Sequence, residues 1–155
     1  DIKKLKLTPV ALGSFINWDA SKQTEIIKKE LGWETDELEH VPIEYNRNGD
    51  KIECFMQGTR DYIKYVKRGY GRITQNLATE IREGRIKVSD AKKIINKHEG
   101  KKPQSLKLFL KYVGLTEKEF KKILKPMEVY PYKHNFNKEK NSKKTSDFDS
   151  WYKEN

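Results

Sequence analysis

Hydrophobic positions along this chain recur at helical spacing and nowhere alternate over the length of a strand, so the pattern predicts a mainly α fold. Residues 1–18 read as an irregular or extended lead-in, with Val10, Leu12, Phe15, Ile16 and Trp18 as its apolar content. Asp19 or Ser21 caps a helix through about Leu31, with Ile26, Ile27 and Leu31 on one face and Gly32 as its stop. Residues 34–50 are acidic and then turn-rich, through Pro42 and the run NRNGD, and read as a loop. Periodicity is most informative from Lys51 to Arg68. There Ile52, Phe55, Met56, Thr59, Tyr62, Ile63 and Val66 share an arc of roughly 120°. Arg60, Lys64, Lys67 and Arg68 fill the neighbouring arc, and Cys54, Gly58, Asp61 and Tyr65 a third. A third face with a glycine that permits close approach predicts contact on two sides, and so a central helix.

Gly69 and Gly71 in the run RGYGR then break this helix. A short helix is expected from Thr74 to Glu83 on Leu77, Ala78 and Ile81, ending at Gly84. Ser89 is the expected cap of the next, with Ala91, Ile94 and Ile95 inward and Gly100 as its stop. Pro103 and Ser105 open another, with Leu106, Phe109, Leu110 and Val113 inward and Gly114 closing it. Thr116 and Glu119 have capping-box spacing, Leu115 and Phe120 that of a hydrophobic staple, and the last helix ends before Pro126. The prediction is a small domain of about five helices over 1–125. An extended, partly disordered Lys/Asn/Ser-rich tail follows over 126–155, whose end FDSWY has the makings of a docking motif.

Composition narrows the classes. The chain is 35% hydrophobic and 36% charged, yet its 17 aromatic residues argue against wholesale disorder. No apolar run reaches about 18 residues, so no membrane span is expected. The first residues lack the long apolar core of a signal peptide, and a single cysteine forms no internal disulfide; both predict a cytoplasmic protein. From residue 125 onward seven lysines and five acidic residues leave +2 of the net +10, so +8 lies before it, mostly between Arg60 and Lys102. Such a charge attracts nucleic acid, phosphorylated small molecules or acidic sugars, without choosing among them.

The basic arc Arg60, Lys64, Lys67 and Arg68 continues into Arg72 and converges on the glycine-bracketed turn. Free backbone N–H groups there would suit an anion, and Asp61 is placed to orient an arginine or meet a sugar hydroxyl. A solvated helix face explains the same arc. Gly69-Tyr70-Gly71 is neither a phosphate loop nor a dinucleotide fingerprint. Cys54 has no partner at metal-ligand spacing, His40, His98 and His134 are scattered, and no metal site is expected. Trp18-Asp19 reads as a ligand wall or as a buried tryptophan beside a helix cap. The residues alone describe a basic helical module without a self-sufficient catalytic site. Nucleic-acid binding or docking of a protein partner are the alternatives to an enzyme part, although no sequence-specific nucleic-acid reader is visible.

The stretches LGSFINWDASKQTEIIKKELGW (12–33), IECFMQGTRDYIKYVKRGYGRITQNLATEIREGRI (52–86) and AKKIINKHEGKKP (91–103) resemble the C-terminal half of bacterial N-acetyl sugar amidotransferases. The resemblance covers about residues 8–125 and leaves the tail outside; its most specific part is RDYIKYVKRGYGR followed by EIREGR. It implies a part of an ATP pyrophosphatase-type enzyme of surface-glycan pathways, namely lipopolysaccharide O-antigen or pseudaminic acid and flagellin glycosylation. ATP, with Mg expected, activates an acetamido oxygen of a sugar or nucleotide-sugar. Ammonia from a separate glutamine amidotransferase then leaves an acetamidino group. The family's S-G-G-x-D-S loop, in its N-terminal half, does not occur in this sequence, so the chain alone is expected to be inactive. The resemblance implies a substrate- or nucleotide-facing role for Arg60, Asp61, Lys64, Lys67, Arg68 and Arg72, with Trp18 and Asp19 next; it names no catalytic residue.

Overall fold

A computed structural model describes residues 4–5, 8–16, 18–34, 38–46 and 56–142. The expectations for Lys51, Ile52, Cys54 and Phe55, for most of the NRNGD turn and for FDSWY lie outside the described residues. The chain divides into two compact units, residues 1–33 and 34–155.

The first unit holds helix α1 (Ala20–Leu31). Asp19 is its N-cap: one carboxylate oxygen accepts the amides of Ser21 at 3.0 Å and Lys22 at 3.3 Å. Gly32, with φ of 63°, closes it in the left-handed conformation that costs glycine least. Ile26 and Leu31, expected inward, are instead 58% and 77% exposed, and α1 buries none of its residues. Among the described residues α1 is the one α-helix of this unit, so the unit offers no second helical face to cover them.

The second unit contains α2 (Gln57–Arg68), α3 (Arg72–Arg82), α4 (Val88–His98), α5 (Ser105–Val113) and α6 (Glu117–Leu124). Among the described residues there is no strand; a lone bridge joins Lys102 to Asn141. Two apolar clusters hold the unit. In one, Ile73 and Leu77 of α3 and Ala91 of α4 pack with Leu38 and Val41. In the other, Tyr62 and Val66 of α2 pack with Leu106, Phe120 and Leu124. Helix α2 is central, as its third face predicts: Gly58 and Asp61 on that face are buried as well as Tyr62 and Val66 on the apolar arc.

Several expectations change at this level. Leu38, His40 and Val41 are buried, so part of the acidic loop belongs to the core. Lys87, not Ser89, occupies the N-cap of α4, without a side-chain cap bond. Val113, expected inward, is 39% exposed at the end of α5, while Leu108, outside the 106–109–110 side that packs on α2 and α6, is buried. The tail, expected to be extended, instead makes short 3-10 turns at Lys125–Met127 and Phe136–Lys138 and is fastened to α2. The Val129 amide donates to the Lys67 carbonyl at 2.7 Å, Phe136 packs on the α2–α6 cluster, and the Tyr62 hydroxyl donates to Glu139.

Two helices borrow their N-terminal caps. The residues before α3 and α5, Gly71 and Gln104, supply no capping side chain. Glu99, just past α4, accepts the amides of Gly71 at 2.8 Å and Thr74 at 3.1 Å, and also the Thr74 hydroxyl. Glu39 accepts the amides of Gln104 at 2.6 Å and Ser105 at 3.0 Å, and the Ser142 hydroxyl at 3.2 Å. Each carboxylate thereby satisfies amides that a helix start leaves unpaired and meets the positive end of the helix dipole. Helix α6 caps itself, with the Thr116–Glu119 capping box.

Gly58 is what lets Glu39 reach α5. A Cβ there would stand 3.0 Å from the Glu39 carboxyl carbon and 3.1 Å from Cβ of Pro103. Both neighbours are held, one by its hydrogen bonds and the other by its ring. Gly58→Ala should therefore destabilise the protein by roughly 1–2 kcal/mol, although alanine is the better helix former. Urea melts of the two proteins check this; an unchanged or higher midpoint contradicts the packing described.

Candidate functional site

Helix α2 sorts its polar residues by direction. Asp61, on the buried side, takes a two-pronged ion pair from Arg72, with Nε at 2.7 Å and Nη2 at 3.0 Å, and a third bond from Gln57 at 3.1 Å. Arg60 reaches back to the Gln57 side-chain oxygen at 3.3 Å. Arg60, Gln57, Asp61 and Arg72 thus form one hydrogen-bonded chain, in which Asp61 orients an arginine as its position suggests. Arg72 is committed to a buried carboxylate, and its loss would leave that charge uncompensated.

The remaining cations of the arc face outward. Lys64 sits 5.3 Å from the centre of the Tyr70 ring, and Arg68 donates to the Tyr70 hydroxyl at 3.5 Å, which draws that hydroxyl below its usual range. Among the described residues Arg60, Lys64, Lys67 and Arg68 have no carboxylate partner. The glycine turn itself offers less to an anion than its sequence suggests. The Gly71 and Thr74 amides belong to Glu99, and the Gly69 amide to the Tyr65 carbonyl. Trp18 and Asp19 lie in the first unit, where Trp18 is 59% exposed and Asp19 caps α1.

A second polar region was not visible as one in the sequence. A cavity of about 470 Å³ opens between the end of α4, the Glu99–Lys101 turn and the segment 132–140, with Tyr65 of α2 contributing to its lining. Gly100, at φ of 76°, makes this possible, since any Cβ there would collide with the Tyr65 ring. His134 organises the far side: Nε2 meets Glu139 at 2.7 Å, Nδ1 meets the Tyr132 hydroxyl at 2.9 Å, and its amide donates to Glu128 at 3.1 Å. Burial raises the carboxyl of Glu139, but hydrogen bonds from His134 and Tyr62 outweigh it and hold that carboxyl below its usual range. Burial and the adjoining Glu139 push the Tyr62 hydroxyl far up, so it remains a donor.

Residues 49–148 match the family model described as LPS biosynthesis protein WbpG-like, C-terminal domain. The chain belongs to that family. Its membership places this helical domain in lipopolysaccharide biosynthesis. The match begins later than the resemblance read from the sequence and runs on into the tail, to residue 148, so the segment fastened to α2 is part of the domain. Trp18, Asp19 and α1 lie outside the matched residues. No curated protein and no solved structure matches the chain at a significant level. No helix among the described residues is long and apolar enough to cross a membrane, and no cluster there of three or more His, Cys, Asp or Glu is placed to hold a metal.

His40, in the second unit ahead of the matched residues, links that unit's stability to pH. Among the described residues its Nδ1 is buried without a hydrogen-bond partner. Burial lowers its pKa, with Arg72, Lys101 and His98 adding to the effect and Asp61 opposing it. Above pH 6.5, the ordinary value, folded and unfolded forms are both neutral at this residue. Below it the unfolded chain takes a proton that folded His40 refuses, so stability falls as pH drops. Glu117, Glu119 and Glu139, held below their ordinary 4.5, lose their contribution only at lower pH. His40→Leu should therefore flatten the stability curve just below pH 6.5 while leaving the acid limb in place, as measured by urea melts at stepped pH. A curve that still falls equally there would assign the slope to another group.

Proposed function

We propose that this domain is the helical C-terminal part of an ATP-dependent N-acetyl sugar amidotransferase of lipopolysaccharide biosynthesis. Its outward basic arc faces the anionic reactants. In that reaction ATP, with Mg expected, activates the acetamido oxygen of a sugar or nucleotide-sugar as an adenylate. Ammonia from a glutamine amidotransferase displaces AMP and leaves the acetamidino group. The observation that carries the reading is the division of labour on α2, within a family of this biosynthetic class. Arg72 is bound to Asp61, whereas Arg60, Lys64, Lys67 and Arg68 hold positive charge with no carboxylate partner among the described residues.

These residues suit ATP or sugar anions as fixed charges, not as a cradle, because Glu99 already holds the amides of the Gly71 turn. Phosphate binding by backbone therefore falls to residues outside this set. The arc's role is to attract the anions, orient them and offset charge that builds on the phosphate during adenylylation.

The test is turnover of the complete enzyme carrying this domain, with ammonium supplied directly. Lys64→Ala or Arg68→Ala should lower turnover by on the order of 10²–10³, with melting unchanged. Arg72→Ala should in addition destabilise the fold by about 3 kcal/mol, because it strands buried Asp61. Lys92→Ala, an exposed position on α4 outside the arc, should do neither. Near-normal turnover in the Lys64 and Arg68 variants would make the arc a solvated surface and refute the assignment.

A further inference from the structure

We propose that the cavity between the end of α4 and the 132–140 segment is a binding site for a diphosphate-bearing small molecule. It rests on the cavity's own chemistry and stands whether or not the amidotransferase reading holds. Its volume of about 470 Å³ falls among those of small-molecule sites, which run to roughly 300–1,000 Å³. Five lysines line it: Lys97 and Lys101 on the α4 side, and Lys133, Lys138 and Lys140 on the other. Against them stand two carboxylates, Glu99 and Glu139, which leaves the lysines in excess, and both carboxylates are turned to internal donors. Glu99 is committed to the α3 amides and Glu139 to Tyr62 and His134.

Lys133 lies 3.5 Å from Glu128, but Lys97, Lys138 and Lys140 have no ion pair among the described residues. Cations approaching from two chain segments suit an extended anion with charge at both ends. A single carboxylate would engage one wall only. Lysine serves phosphate as a point charge, so the residue type among the described lining is compatible with such a ligand, as an arginine fork would also be. Tyr65, Tyr132 and Asn96 add aromatic surface and amide donors beside the cations, which leaves room for the organic part of the ligand.

Lys97 also lies in the last turn of α4, where a cation complements the helix dipole, so a structural role must be separated from a binding one. The experiment is calorimetric titration of the protein with inorganic pyrophosphate at physiological salt, with acetate and inorganic phosphate for comparison. Saturable pyrophosphate binding is expected, stronger than for phosphate and absent for acetate. Lys97→Ala/Lys138→Ala should weaken it at least about tenfold. Lys111→Ala/Lys118→Ala, which removes the same charge from exposed positions of α5 and α6, should leave it within about twofold. An amide shift map of the unmodified protein should place pyrophosphate on 97–101 and 132–140. No saturable binding, equal weakening by both double variants, or shifts centred elsewhere would each overturn the proposal.

Discussion

A helix start leaves amide hydrogens with no partner inside the helix, and in this domain two such starts are answered by glutamates that the chain brings from elsewhere. Glu39 crosses 65 residues to reach the start of α5, and Glu99 reaches back 28 residues to the amide at the start of α3. These contacts fix the relation of elements that the apolar clusters alone would leave looser. The 38–46 loop is pinned against α2 and α5, with Ser142 held by the same carboxylate, and the turn after α4 is pinned to the start of α3. Asp61 does similar work between α2 and α3 through Arg72.

The same arrangement decides what the surface presents. Acidic side chains are drawn inward as caps and partners: Glu39, Asp61, Glu99, Glu128 and Glu139 each hold backbone or side-chain donors of the domain. Most lysines and arginines, with flexible stems and charged heads, remain outside, Arg72 excepted. The net charge of +10 is therefore not spread evenly in effect. Part of it lies on the outer side of α2, where Arg60, Lys64, Lys67 and Arg68 have no carboxylate partner among the described residues, and part is carried by the lysines around the cavity beside α4. Anionic precursors of the kind proposed above would have a physical use for both places.

Much of this was legible in the sequence where the interaction is local. The capping box of α6, the glycine stops of α1, α2 and α5, and the two-sided burial of α2 all follow from residues a few positions apart. The pairing of Asp61 with an arginine was foreseeable because both sit near one turn. The borrowed caps were not, since no local spacing announces a partner 28 or 65 residues away. Leu38 and Val41 were hidden in a stretch whose acidic and turn-forming residues read as loop. The tail's docking escaped notice because it relies on Tyr132, His134, Phe136 and Glu139 and not on an aliphatic face. For the same reason the histidines looked scattered. His134 becomes the centre of an aromatic and carboxylate cluster only once the chain has doubled back.

Amide hydrogen exchange tests the central claim most directly, that distant carboxylates hold the helix starts. In Glu39→Ala the Gln104 and Ser105 amides should lose protection by at least about tenfold while those of Gly71 and Thr74 keep theirs. In Glu99→Ala the pattern should reverse. Unchanged protection at these four amides in both variants would contradict the account.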